Sequence, residues 1–179
     1  VKDWNVVISL YQDGFRRAIR ALEQLGQVDS SPYHNVLTMK AEDPLAVLDA
    51  IERRTADDPA LYDAISRVAP AMHNFEFQSA DEFLDKAKSV ALRWRPDLSG
   101  RSFHVRFHRR GMRHDLPTPD VERALDDALL QAANSTASPA SISFDDPDAV
   151  IVIDTVGHRA GISLWRREDL ARHPLLRPD

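Results

Sequence analysis

Apolar residues along this chain recur in two rhythms that take turns. The stretch WNVVISL is short, apolar and β-branched, which predicts a buried strand. Across DGFRRAIRALEQLG the period lengthens: Phe15, Ala18, Ile19, Leu22 and Leu25 fall at helical spacing, and Gly26 is a natural stop. HNVLTMKA predicts a second strand. Asp43 and Pro44 then supply an N-cap and a first-turn proline for a helix carrying Leu45, Leu48 and Ile51. SRVAPAMHNFEF reads as one irregular third strand, in which Pro70 argues for an edge or a bulge. Ser79, followed by Asp81 and Glu82, opens a helix with Phe83, Ala87, Val90 and Trp94 on one face, and Pro96 is expected to end it.

RPDLSG is the punctuation between two periodic regions, so the domain boundary is placed there, giving units 1–97 and 98–179. Beyond it, SFHVRFHRR alternates at period two. Phe103, Val105 and Phe107 point one way, and His104, Arg106, His108 and Arg110 point the other. PTPDVERALDDALLQAAN predicts a helix capped by Thr118, with Val121, Leu125, Ala128 and Ala132 as its stripe. SISF, AVIVIDTV and AGISLW complete the pattern as strands around the turns DDPD and GHR. AVIVI, apolar at every position, suits a central strand covered on both faces. Alternating strands and helices in two blocks predict an α+β chain.

Composition changes this picture only in part. The 179 residues are 43% hydrophobic and 28% charged, the balance of a soluble globular protein, with no cysteine. A disulfide scaffold and cysteine-ligated zinc are therefore excluded. No apolar run reaches the length of a membrane span and the start lacks a signal-peptide layout, so a cytoplasmic protein with no membrane partner is expected. The formal net charge is -5 and the isoelectric point about 5.8, which gives no global attraction for nucleic acid.

Against that background, RSFHVRFHRRGMRH holds five arginines and three histidines and no acid. Its polar face continues through Arg109, Arg110 and Arg113 around Gly111, a surface suited to phosphate because guanidinium binds it bidentately and stays charged. The competing reading is a solvated strand face paired with helix acids such as Asp120, Glu122, Asp126 and Asp127. His104 and His108 share a face, but on a strand they lie roughly 13 Å apart, too far for one ion, so no metal site is expected. His114 with Asp115, and Asp154 near His158, are loose acid–base pairs without a nucleophile, so no catalytic residues are assigned. DDPD lacks the spacing of a calcium loop and reads as a tight turn.

The ordered set SFHVRFHRRG, PTPDVERALDDALL, DDPDAVIVIDTVGHRAGISLWRRED and HPLLR resembles a THUMP domain, and more narrowly the stand-alone THUMP proteins that assist tRNA cytidine acetylation. WNVVIS and RVAPAMHNFEF resemble, more weakly, the ferredoxin-like domain that precedes THUMP in that family. The resemblance implies a ferredoxin-like unit followed by a THUMP-like α/β domain. It implies a binding protein without its own active site or cofactor, presenting tRNA by its acceptor end to a separate modifying enzyme such as an acetyltransferase, with no role for DNA. On this expectation RNA is contacted by Arg106, Arg109, Arg110, Gly111, Arg113, His104 and His108, joined by Arg159, Arg166, Arg167 and Arg177. Two alternatives stay open: an RNA-modifying or hydrolytic enzyme using the histidines, and a protein-interaction module with little RNA affinity.

Overall fold

The computed structural model describes residues 1–135 and 137–178, which form two compact units. The first comprises Val1–Met72 together with Leu170–Arg177. Its elements run β1 (Val6–Leu10), α1 (Phe15–Leu22), β2 (Gln27–Ser30), β3 (Val36–Lys40), α2 (Pro44–Asp57), α3 (Pro59–Tyr62) and β4 (Ile65–Pro70). The sheet order is β2-β3-β1-β4, antiparallel throughout, which is the split βαβ arrangement of a ferredoxin-like unit. As expected, Asp43 caps α2 by accepting from the amides of Leu45 and Ala46. Val6, Ile8, Leu37 and Met39 from the sheet and Ala18, Leu22, Leu48 and Ile51 from the helices are buried in the core. Asn5 closes one end: its side chain pairs both ways with the Ala41 backbone while its own carbonyl accepts from Ala71.

The second unit, from His73 to Asp169 with Pro178, contains β5 (His73–Glu76), α4 (Ala80–Ala91), a 3₁₀ turn (Leu92–Trp94), α5 (Arg95–Leu98) and β6 (Ser102–His108). These are followed by α6 (Thr118–Asn134), β7 (Ser141–Ile142), β8 (Ala149–Val156), β9 (Arg159–Arg166) and the start of α7 (Arg167–Arg172). The order is β5-β9-β8-β6-β7, with β6 parallel to both β7 and β8. β8 is buried at every position but its last, the apolar run AVIVI as expected and Asp154 and Thr155 along with it. One face of this sheet packs Phe103, Val105, Phe107, Ile151, Ile153 and Ile162 against Phe83 and Ala87 of α4 and Leu125 and Leu129 of α6. Among the described residues no helix is long and apolar enough to cross a membrane.

Four expectations need correction. The boundary falls at Met72/His73 rather than in RPDLSG, because α4 shares its core with β6 and α6 and so belongs to the second unit. SRVAPAMHNFEF is accordingly two strands, β4 at the edge of the first sheet and β5 at the edge of the second, with the break just after Pro70. Pro96 does not end α4; it sits in the first turn of α5, where its missing N–H costs nothing. Thr118 begins α6 without capping it, and the first amides donate to the Pro117 carbonyl.

The carboxy-terminal segment belongs to the first unit, where the Leu175 carbonyl accepts from Val68 on the open edge of β4. Leu175 and Leu176 are buried at 1% and 2% exposure. Deleting the buried side chain with Leu175→Ala should therefore cost about 2–5 kcal/mol, read as a lower urea midpoint of the first unit. Leu45→Ala, on an exposed leucine, should change stability by about 0.5 kcal/mol or less.

Candidate nucleic-acid interface

The arginine-rich strand β6 is paired with β7 only at Ser102 and Phe103. From His104 onward that edge of the strand is open, and its outward amides need acceptors. Helix α6 supplies them. Asp126 Oδ1 accepts from the Val105 amide at 2.8 Å, and Glu122 Oε1, one helical turn earlier, accepts from the Phe107 amide at 2.9 Å. Asp126 also holds His104, with Nδ1 and Oδ2 2.6 Å apart. His104 is 3% exposed, so it is an internal partner of the helix and not part of a solvent-facing row. Burial pushes the Asp126 carboxyl above its ordinary pKa, against the opposing pull of His104 and the Val105 amide.

The remaining positions on β6 and its loop divide between internal contacts and open surface. Arg106 Nη2 donates to the Phe144 carbonyl at 3.2 Å, and the Phe144 ring, 61% exposed, meets the His104 ring edge-on at 4.7 Å between centroids. His108 Nε2 contacts the Pro178 carbonyl at 2.8 Å. Arg110 is tied in at three points: its amide donates to Thr155 Oγ1, its carbonyl accepts from Gly157, and its guanidinium pairs with buried Asp154 at 2.9 Å. Gly111 has φ +104°, a conformation that glycine adopts without penalty, and its carbonyl accepts from Arg109 Nη1. Arg109 Nε is buried without a partner among the described residues, and Arg113 is exposed.

The outlying arginines are dispersed. Arg159 lies 3.7 Å from Glu76, and Arg166 pairs with Asp97 at 2.9 Å. Arg167 is clamped by the DDPD turn, on Asp146 at 3.1 Å and Asp148 at 3.0 Å. Asp148 in turn bonds reciprocally with Ser102, whose amide, the largest influence, holds the carboxyl below its ordinary pKa. DDPD thus serves as a docking turn for Arg167. Arg177 is in the first unit, bridging the hydroxyls of Tyr11 and Tyr62. Of the eleven residues expected to contact RNA, the structure gathers seven, His104, Arg106, His108, Arg109, Arg110, Gly111 and Arg113, on β6 and its loop. Of the loose acid–base pairs, Asp154 and His158 turn to other partners: Asp154 engages Arg110, and His158 Nδ1 contacts the Phe77 carbonyl.

Two features escaped the sequence reading. Phe144 follows SIS as an ordinary strand aromatic, and nothing local signals that its ring stays outside. Asp49, Glu52 and His173 in the first unit bring one ligand atom each within 4.8 Å of one another, a group that could hold a metal ion. His173 Nδ1 is 2.8 Å from Glu52 Oε2, a contact spanning 121 residues of sequence.

Residues 77–164 match the THUMP domain model. Over 145 residues the chain is 29% identical to a tRNA sulfurtransferase from Klebsiella pneumoniae, a match covering 75% of this chain and 28% of that protein. The chain thus spans under a third of the length of this relative. Among solved structures, PH1313 from Pyrococcus horikoshii superposes with a TM-score of 0.60 at 17% identity, over 90% of this chain and 54% of that one. A 4-thiouridine synthetase solved as an RNA complex with bound ATP gives 0.53 at 15% identity, over 92% and 42%. These likenesses establish a shared fold.

The Asp126 arrangement makes a stability prediction. Asp126→Ala strands the Val105 amide and His104, at about 1–3 kcal/mol for each buried group left unpaired. Asp126→Asn retains an acceptor for Val105 and should lose less. A carboxyl whose folded pKa is raised contributes stability that is complete below the ordinary carboxylate range and lost as pH rises through the raised value. Urea melts from about pH 3 to 7 should therefore show Asp126→Asn with a flatter pH dependence than the parent chain.

Proposed function

We propose that this chain, which carries a THUMP domain, binds tRNA and presents it to a separate modifying enzyme, with no chemistry of its own. The observation that carries the reading is the THUMP match over residues 77–164, which includes β6 and its arginine loop. The tRNA sulfurtransferase similarity supports tRNA as the nucleic acid. Exposed Arg113, with Arg109 and Arg106 nearby in the chain, supplies cations for phosphates, and the open ring of Phe144 offers a stacking face for a base. The β6 histidines lend little to histidine catalysis, because His104 is buried on Asp126 and His108 is engaged by a backbone carbonyl. The acceptor end of tRNA is the target this reading favours.

A second reading, a protein-interaction module with little RNA affinity, is favoured by one observation: Arg110, Arg159, Arg166 and Arg167 all sit beside carboxylates of the same unit. A filter-binding titration of whole tRNA against salt separates the two. Under the tRNA reading the log–log slope reaches roughly 0.7–0.9 per phosphate contacted, and Arg113→Ala lowers it by about one contact. Absence of binding even at low salt selects the interaction module. Labelled tRNA incubated with the protein alone should be recovered unmodified; a new nucleotide would overturn the adaptor role.

A further inference from the structure

The first unit holds a groove of about 800 Å³ along α1. Four arginines line it: Arg16, Arg17 and Arg20 from α1, and Arg54 from α2. Spacings of three and four residues bring the α1 guanidiniums to one side of the helix. Arg54 is anchored, its Nη1 donating to the Ala21 carbonyl at 3.0 Å and to Gln24 Oε1 at 2.8 Å. Arg17 Nη1 reaches the Ala60 carbonyl at 3.3 Å. Three acids share the lining, Asp13, Asp58 and Asp63. Yet among the described residues none of the four arginines has a carboxylate oxygen within 4.0 Å. The Asp58 carboxylate instead caps α3 through the Ala60 amide.

Four arginines of the second unit, Arg110, Arg159, Arg166 and Arg167, are by comparison each met by a carboxylate. An acidic chain that leaves four guanidiniums in one groove without a carboxylate partner has a site for an external anion. Arg16 to Arg20 spans about 6 Å along the helix axis, and Arg54 adds a second element, a spread greater than one phosphate can satisfy.

We propose that this α1 groove is a second RNA-binding surface, in which Arg16, Arg17, Arg20 and Arg54 hold consecutive backbone phosphates of the bound RNA. The assignment rests on the tRNA-binding reading above for the identity of the polyanion. Its recognition is of backbone and not of base, since the lining offers guanidiniums and no exposed aromatic ring.

The test uses the whole chain and compares wild type, the double variant Arg16→Glu/Arg20→Glu, and Arg53→Glu. Arg53 is an exposed α2 residue outside the groove lining. Because Arg16 and Arg20 are exposed and carry no described partner, the thermal midpoint should not move. Affinity for tRNA should fall by about tenfold or more in the double variant, with the salt slope lower by roughly 1.4, two single-strand phosphate contacts. Arg53→Glu should keep the wild-type slope. A wild-type slope in the double variant, or an equal loss in Arg53→Glu, overturns the groove. A wild-type chain that binds inorganic tripolyphosphate but not tRNA overturns both RNA as its ligand and the functional reading. A double variant with reduced slope beside a wild type that binds tRNA supports both.

Discussion

The second unit is organised around the open edge of β6. Its partner β7 is two residues long, so the amides of Val105 and Phe107 emerge from the sheet with no strand to receive them. Buried or edge amides left without acceptors are costly, and a further strand would have closed the edge. Here a helix closes it instead. Glu122 and Asp126, four residues apart and so on one face of α6, take the place of the missing strand. That substitution fixes the seating of α6 against the sheet and draws His104 inward as the second partner of Asp126.

The consequence reaches the arginines. The α6 acids nearest β6 are committed to backbone amides and a histidine, so they do not neutralise the strand's guanidiniums. Arg110 finds Asp154 on the neighbouring strand, Arg106 reaches a carbonyl, and the loop beyond Gly111 carries Arg113 outward. Neither simple picture of a charged strand, a free cationic row or a face paired to its helix, describes this. The edge takes the carboxylates first, and the cations take what remains.

Much of this fold was legible in the chain. Strands β1 and β3, helices α1 and α2, the caps at Asp43 and Ser79, and the central, covered position of β8 follow from periodicity and end signals. What stayed hidden depended on partners far away in sequence. β2, with the polar composition QVDS, is an edge strand recognisable only from its pairing with β3. His104 looked solvent-facing because alternation assigns faces and cannot see a carboxylate 22 residues on. The break after Pro70 hid inside an apolar run, since β4 and β5 are each plausible continuations of the other. The candidate interface was legible as a cluster around β6, whereas the outlying arginines were grouped by charge alone and proved to be dispersed, Arg159, Arg166 and Arg167 in separate ion pairs and Arg177 on two tyrosine hydroxyls.

Net charge is a poor guide here for a related reason. A value of -5 averages over carboxylates that are already spent on amides, caps and ion pairs, such as Asp43, Asp58, Asp126 and Asp148. A ligand feels the local field, which depends on which charges lack an internal partner and how deeply a groove concentrates them. By that measure the arginine-rich strand is less cationic than its composition, and α1 is more so. RAIRAL reads as an ordinary amphipathic helix until the structure shows that its guanidiniums meet no carboxylate among the described residues. Position of the unneutralised charge, and not its sum, is what an acidic chain has to control if it is to hold a polyanion.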